Sequence, residues 1–497
     1  MGSPIARERF EEHEFATFEE RLDDCVEAMG RLLERPGFGE GPLSLGAELE
    51  LHLVDAQACP SPVNKRVIAD SFDPRLTLEI DRFNLEVNCR PYPLTGRPFA
   101  ALADELATLV GETRRAAALH GARPVAIGIL PTLTAADLQS SALSDQARYR
   151  ALSAGLRRQR GYQPFALHIE GRDRLDLVVD DVAAEGANAS FQVHLRVAPS
   201  QFAAAYNAAQ LATSVALAVA GNSPLFLGRR LWEETRVAIF RQAVDGRAGL
   251  DVDDWRPARV SFGHGWVRRG ALELFAEAVA LYPALLPVLS DEDPRAAMAG
   301  GGVPGLAELR LHQGTVWRWN RAIYDAVAGG HLRIELRALP AGPTIDDMVA
   351  NAAFLIGLTL ALAPRIEALL PGLPFGQVRR NFYQAARHGL DAELLWPPRR
   401  GRAAVPRRVP SLVEELLPQA RDGLVGAGVD AEEAASWLAP VARRVARGRT
   451  GARWLRAVYD ARRAREAESE ALRGVVEDYL GASDGGTPVA DWPEPTA

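Results

Sequence analysis

The sequence predicts an α+β fold built on an antiparallel sheet. Several short segments alternate apolar and polar residues, which is typical of strands with one buried face. Longer segments with helical spacing separate them, an order that favours an α+β fold over a parallel doubly wound sheet. The C-terminal part is rich in Leu, Ala, Arg and Glu and shows little strand alternation, so it is predicted to be mainly helical.

Strands are predicted wherever the period of two is clear. The predicted strand segments are 44–55, 76–90 (an extended stretch or hairpin), 123–130, 188–198 and 331–339. Helices are predicted over 16–34, 97–120, 200–220 and 344–364, with Ser200 and Thr344 as the N-caps of the last two.

The same patterns suggest a division of the chain. Residues 1–365 are predicted to form a catalytic α+β domain, with a helical region at 366–480 packed on it. Residues 481–497 are rich in Gly, Pro and Asp and are expected to form a loose tail. Within the helical region, Arg443, Arg444, Arg447 and Arg449 are expected on a solvated helix face.

Composition excludes several classes of function. The net charge of -7 argues against a nucleic-acid-binding protein, which needs a basic surface. Lys65 is the only lysine and there is no GxxxxGK[ST] motif, so phosphate must be bound by arginine, backbone amides or metal ions. The longest apolar stretch, 211–220, is too short to span a bilayer, and we expect a cytoplasmic protein without membrane contacts.

Four predicted strands carry unusual polar faces. Solvated sheet faces favour Ser, Thr and mixed small polar residues, whereas these faces carry Glu, His, Gln, Asn and Arg. The sets are Glu48, Glu50 and His52; Glu86, Asn88 and Arg90; Gln192, His194 and Arg196; and His331, Arg333, Glu335 and Arg337.

These residue types predict a metal and phosphate site. Carboxylates crowded on one face repel each other unless a cation lies among them. Oxygen ligands suit Mg²⁺ or Mn²⁺, and neighbouring arginines suit phosphate or carboxylate. Carboxylates, a divalent cation and arginine are together what phosphoryl transfer requires.

The sequence resembles a known family, the type 2 glutamate–cysteine ligases and carboxylate–amine ligases. The matching stretches are GAELELHLVD (46–55), EIDRFNLEVN (79–88), EGANASFQVHLRV (185–197), AGNSPLFLGRRLWEETRVAIFR (220–241) and GTVWRWNR with GGHLRIELRALPAGPT (314–344). The resemblance implies the fold shared by glutamine synthetase and guanidino kinases, in which an antiparallel sheet forms a funnel with its polar face inward.

The resemblance also implies roles for individual residues. The metal ligands would be Glu48, Glu50, Glu79, Glu86, Gln192 and Glu335. Two choices stay open: His194 could replace Gln192 as ligand, and Asp81 competes with Glu79. Arg337 would contact phosphate or the amino-acid substrate, and Arg333 on the same face could take that role instead. Substrate contacts are expected from His194, Arg196, His312 and Trp317, and nucleotide contacts from Arg236 and Arg241.

The implied activity is an ATP-dependent ligation with Mg²⁺ or Mn²⁺. By resemblance, the γ-carboxylate of glutamate would react through an acyl phosphate with the amine of cysteine. A ligase for another acid or amine, a guanidino kinase-like phosphotransferase and a non-catalytic nucleotide-binding protein are the alternatives. The sequence leaves the oligomeric state open.

Overall fold

The architecture is known from a computed structural model that describes residues 5, 7–179, 181–247, 256–398 and 402–494. The strands are β1 Ser44–Val54, β2 Leu76–Leu78, β3 Asn84–Asn88, β4 Tyr92–Pro93, β5 Arg123–Val125, β6 Phe165–Glu170, β7 Arg174–Val179, β8 Phe191–Val197, β9 Leu225–Phe226, β10 Arg229–Arg230, β11 Val260–Ser261, β12 Trp317–Arg318, β13 Asn320–Asp325, β14 His331–Leu336, β15 Glu393–Trp396 and β16 Val405–Arg408.

The helices surround and extend the strands. They are α1 Glu12–Leu33, α2 Asn64–Ser71, α3 Pro98–Ala118, α4 Ala147–Gln159, α5 Phe202–Ala220, α6 Arg236–Ala243, α7 Leu272–Leu281, α8 Pro294–Ala299, α9 Ala307–Gln313, α10 Ile345–Leu362, α11 Ile366–Leu369, α12 Phe375–His388, α13 Val409–Gly426, α14 Ala431–Arg447, α15 Gly451–Arg463 and α16 Glu468–Asp484. The predicted α+β class and the helical C-terminal region are confirmed.

One curled sheet organises the described part of the chain. Its strand order is β13-β14-β8-β1-β3-β2, with β4 and β5 also paired to β1. Every pairing in this sheet is antiparallel. In β1 the apolar side chains from Leu45 to Leu53 alternate into the core, as a period of two requires. The polar side chains between them are therefore left on the other face.

Some predicted boundaries differ from the structure. Thr344 caps α10 as predicted, because its Oγ1 accepts a hydrogen bond from the Asp347 N–H at 3.1 Å. Ser200 does not cap α5: a 3₁₀ turn over Pro199–Gln201 precedes the helix, which begins at Phe202. The predicted strand 123–130 is regular only over Arg123–Val125.

Residues 481–494 of the C-terminal segment are packed, unlike the loose tail expected from composition, and residues 495–497 of that predicted tail lie outside the described residues. Trp492 is 3% exposed and its ring lies 4.8 Å from the ring of Trp454 and 5.4 Å from that of Tyr479. The Val489 N–H donates to Asp347 at the start of α10. Buried aromatic area outweighs the cost of ordering a short Gly- and Pro-rich stretch.

Among the described residues, two helices are long and apolar enough to cross a bilayer by length and composition. They are Pro199–Ala220, which is 89% buried, and Ile345–Gly372. This differs from the shorter apolar run counted in the sequence, because a span tolerates interspersed polar residues. Core helices meet the same criteria, and α5 and α10 pack against each other and against the sheet.

Candidate active site

The polar face of the sheet forms one wall of a cavity of about 550 Å³. Strand register explains which side chains meet there. Glu50 lies directly opposite Glu86, Glu48 opposite Gln192, and Glu335 opposite His194. Directly opposed residues have Cβ atoms only about 5 Å apart, so these pairs are in contact range.

The acids and one histidine fall into two groups. In the first, ligand atoms of Glu48, His194 and Glu335 all lie within 4.8 Å of one another. In the second, Glu50, Glu79 and Glu86 meet the same criterion. Carboxylate oxygens suit Mg²⁺ and Mn²⁺, so both groups fit a divalent cation.

The structure separates the candidates that the sequence left open. Glu79 lies on the cavity wall, whereas Asp81 is fully buried beside Gly186 and does not line the cavity. His194 supplies a ligand atom to the first group. The amide oxygen of Gln192 instead accepts a hydrogen bond from Arg337 at 2.6 Å. The geometry therefore favours Glu79 over Asp81 and His194 over Gln192 as ligands.

In the second group, nearby positive charge does not offset burial: Arg337 and Arg236 lower the pKa of Glu50, but burial still raises it. Burial, followed by the charges of Glu86 and Glu50, raises the pKa of Glu79 well above its usual range. Burial and the charge of Glu48 raise the pKa of Glu86 to about 8. The carboxyl groups are held by neutral donors, such as the Ser190 N–H at 2.6 Å from Glu50. Full ionisation of this group therefore requires a cation.

The negative charge of the first group is compensated by neighbouring cationic side chains. Burial opposes ionisation of Glu48 and Glu335, but positive charge prevails in both. His194 brings the pKa of Glu48 to about 2, and Arg321 and Arg337 hold that of Glu335 well below its usual range.

Three arginines contact this first group. Arg321 donates to both oxygens of Glu335 through Nε and Nη2, at 2.7 and 3.1 Å. Arg337 Nη1 lies 3.2 Å from the same carboxylate. Arg333 contacts the histidine of the group, with its Nε 3.2 Å from His194 Nδ1.

Five predicted site residues do not line the cavity, namely His194, Arg196, Arg236, Arg241 and His312. Trp317, Arg333 and Arg337 line it as predicted. Arg196 lies further along β8 and donates to the Glu40 carbonyl at 3.0 Å. His312 points away from the cavity, although its neighbours Leu311 and Gln313 line it.

The two arginines predicted to bind nucleotide lie away from this cavity. Arg236 is buried and donates to the Ala338 carbonyl at 2.7 Å, with Glu234 at 3.3 Å. Arg241 lies over the ring of Tyr383, 5.4 Å from its centre. Neither lines the cavity, because neighbouring acids, carbonyls and rings at other faces of α6 hold both side chains.

Sequence reasoning missed several cavity residues. Arg321 had a readable signal, since it alternates with buried residues in NRAIYD on the strand paired with β14. Glu185 precedes β8 in an irregular segment and had none; burial and the charge of Glu50 raise its pKa to about 8. Other polar residues that line the cavity and were not predicted include Arg148, Tyr149, Arg310 and Gln313.

The corrected position of His312 gives a prediction about stability. Burial lowers the pKa of His312 to about 4, and its Nε2 lies 2.9 Å from the Ala278 carbonyl. The unfolded chain, with a pKa near 6.5, binds the proton first as pH falls. The stability that a neutral His312 contributes is therefore present above pH 6.5 and lost progressively as pH falls towards 4.

Because of His312, we expect the free energy of unfolding to fall by roughly 2 kcal/mol when the pH is lowered from 7 to 5. Urea unfolding of wild type and His312→Gln at both pH values measures it, and the variant should lose correspondingly less stability. His13→Gln, at an exposed histidine of α1, is the control. Equal pH dependence in wild type and His312→Gln would contradict the prediction.

Comparison with known proteins decides the family. The model of glutamate–cysteine ligase family 2 matches residues 44–478. This chain belongs to that family. As a member it is an ATP-dependent carboxylate–amine ligase, the class that the sequence motifs implied. No curated protein sequence matches the chain.

Solved structures agree with the family at the level of fold. The glutamate–cysteine ligase of Francisella tularensis, solved in complex with AMP, has 12% identity and a TM-score of 0.55, covering 89% of this chain and 90% of that one. A bifunctional glutathione synthetase from Pasteurella multocida has 11% identity and a TM-score of 0.44, covering 93% of this chain and 55% of that one. The first likeness shows that this family member has the fold of a glutamate–cysteine ligase.

Proposed function

We propose that this family member joins the γ-carboxylate of glutamate to the amine of cysteine, in the cytoplasm, with ATP as phosphoryl donor. The observation that supports it is the pair of ligand groups facing one cavity, with Arg321, Arg333 and Arg337 beside them. Acids for divalent cations and arginines for anions are the requirements for activating a carboxylate by phosphoryl transfer.

The proposed reaction has two steps. The glutamate γ-carboxylate attacks the γ-phosphorus of ATP, which releases ADP and gives an acyl phosphate. The cysteine amine then attacks the acyl carbon, phosphate leaves, and the amine loses a proton. The Glu48, His194 and Glu335 group and the Glu50, Glu79 and Glu86 group would hold Mg²⁺ or Mn²⁺, which would neutralise phosphate charge.

The side chains of the sheet have separate tasks in this scheme. Arg337 donates towards the cavity and orients an anion there, as a planar guanidinium can do with two parallel hydrogen bonds. Arg321 is already committed to Glu335, so it fixes that carboxylate. The acyl phosphate is protected from water by the cavity walls, which include Leu78, Ile80 and Trp317.

Product analysis tests the acid, the amine and the intermediate together. Glutamate labelled with ¹⁸O in its γ-carboxylate should transfer one label to inorganic phosphate, because the carboxylate oxygen stays with phosphorus when the amine displaces it. Mass spectrometry of the peptide product identifies the amine from a panel. Unlabelled phosphate would exclude the acyl phosphate, and a product without cysteine would reassign the amine.

Metal removal should stop turnover. The buried acids of the Glu50 group carry raised pKa values and need a cation to act as carboxylates. We expect EDTA to abolish ADP release and added Mg²⁺ or Mn²⁺ to restore it. The assay is ADP release before and after chelation. Turnover that persists after exhaustive chelation would contradict the role of both groups.

Arg337→Lys should lower kcat/KM by about 100-fold, the scale for losing an oriented donor to a reacting anion. Lysine keeps the charge but loses the planar pair of donors. Kinetics and melting temperature should be measured for Arg337→Lys and for Arg333→Lys, whose guanidinium is paired with Asp325 at 2.9 Å. A lower melting temperature with unchanged kinetics would make Arg337 a structural ion pair. Full activity in both variants would remove this strand's arginines from the mechanism.

A further inference from the structure

Gln192 stands between the two ligand groups. Its Nε2 donates to Glu50 Oε1 at 2.9 Å, and its Oε1 accepts from Arg337 Nη1 at 2.6 Å. The same Arg337 nitrogen lies 3.2 Å from Glu335. A continuous chain of hydrogen bonds therefore runs from the Glu50 group to the Glu335 group through one amide.

The chemistry of the partners fixes the orientation of this amide. A guanidinium can only donate and an ionised carboxylate can only accept, so Oε1 must face Arg337 and the amide nitrogen must face Glu50. The side chain is only 3% exposed, so water cannot readily replace either partner. The position therefore requires one donor and one acceptor in a fixed order.

Direct ligation by Gln192 is disfavoured in this arrangement. Its carbonyl oxygen is bonded to a guanidinium, and a cation on that oxygen would meet the Arg337 charge at close range. Glu50 presents the better ligand, since the Ser190 N–H donates to its Oε2 and the Gln192 amide to its Oε1, and each hydrogen bond uses only one lone pair of that oxygen. The remaining lone pairs of Glu50 are left for a cation.

We infer that Gln192 is a positioning residue that couples the Glu50, Glu79 and Glu86 group to Arg337, and that it is not itself a metal ligand. It sets the plane of the Glu50 carboxylate for the cation and the direction of the Arg337 guanidinium for the anionic substrate. This assignment rests on the proposed function for its catalytic consequence, although metal binding tests it without turnover.

If Gln192 is a positioning residue, different substitutions of it should have different effects on metal binding. A neutral imidazole also offers one donor and one acceptor, so Gln192→His should preserve the coupling. Gln192→Leu removes both hydrogen bonds at similar volume. Hydrogen-bond partners of metal ligands are worth about 10- to 100-fold in metal affinity, so Gln192→Leu should weaken Mn²⁺ binding by about that factor.

The experiment is a titration of the metal-free protein with Mn²⁺ in the absence of nucleotide, in which electron paramagnetic resonance detects the binding. Glu86→Gln identifies which bound Mn²⁺ belongs to the Glu50 group. Gln210→Leu is the matched control, because Gln210 is a buried amide that also donates to a carbonyl (Phe262) and accepts from a side chain (Asn320), away from the cavity. That control should lower the melting temperature and leave the Mn²⁺ affinity unchanged.

A double-mutant cycle separates positioning from ligation. If Gln192 acts with Arg337, the losses in Mn²⁺ affinity from Gln192→Leu and Arg337→Lys should be clearly less than multiplicative when combined. Multiplicative losses would indicate that Gln192 binds the metal independently, and wild-type affinity in Gln192→Leu would leave it without a role there. Either result overturns the inference. Failure of the wild type to ligate glutamate and cysteine would instead refute only the proposed function.

Discussion

Glu335→Gln should abolish turnover while leaving the fold intact. Glu335 shares the first ligand group with Glu48 and His194, and its two oxygens also receive Arg321. The amide is neutral and presents one donor in place of an acceptor, so it weakens a cation site and repels one guanidinium N–H. Loss of transition-state charge stabilisation on this scale costs several kcal/mol, so we expect a fall in kcat of at least about 100-fold.

A buried glutamate outside the cavity provides the control for this variant. Glu105 is 6% exposed and is paired with Arg75 at 2.8 Å and Arg90 at 3.0 Å, so Glu105→Gln imposes a similar change of charge. Glu105→Gln should lower the melting temperature and keep ADP release. ADP release by Glu335→Gln near the wild-type rate would refute the metal site.

Arg444→Met should cause a large loss of stability. Arg444 is 1% exposed and donates to the Val219 carbonyl and to Asn351 Oδ1, both at 2.7 Å. Its Nε lies 3.5 Å from Asp347, whose own exposure is 0%. Removing the guanidinium leaves a buried carboxylate without its counter-charge, which costs about 3–5 kcal/mol.

Urea unfolding of Arg444→Met, Arg447→Met and the double variant Arg444→Met/Asp347→Asn tests this reason. Arg447 lies one turn further along α14 and pairs with Asp491 while its own side chain is half-exposed. Arg447→Met should therefore lower the free energy of unfolding by no more than about 1 kcal/mol. Neutralising Asp347 should restore part of the loss. Equal stability of Arg444→Met and Arg447→Met would contradict the buried pair, and unchanged kcat per folded molecule would separate it from the active site.

The sequence could predict which side chains share a strand face, because that depends only on the local period of two. Glu48 with Glu50, Gln192 with His194, and Glu335 with Arg337 were all predicted on polar faces, and the structure places these faces together. Alternating strand segments separated by helical ones predicted the α+β class, and the family motifs predicted the ligase family, since both are properties of local sequence.

Only the tertiary structure shows which polar strand faces lie next to each other and which of the alternative site residues lie close together. Strand register, a non-local property, paired Glu50 with Glu86 and brought Arg321 to Glu335. The fold also places Glu79, and not Asp81, within ligand distance of Glu50 and Glu86. Helical arginines were the least predictable, because the rotation of a helix about its axis is set by what packs against it. Arg236 is therefore buried against the Ala338 carbonyl, and Arg444 against the Val219 carbonyl and Asp347. These partners lie roughly 100 or more positions away in the chain, where local pattern carries no information.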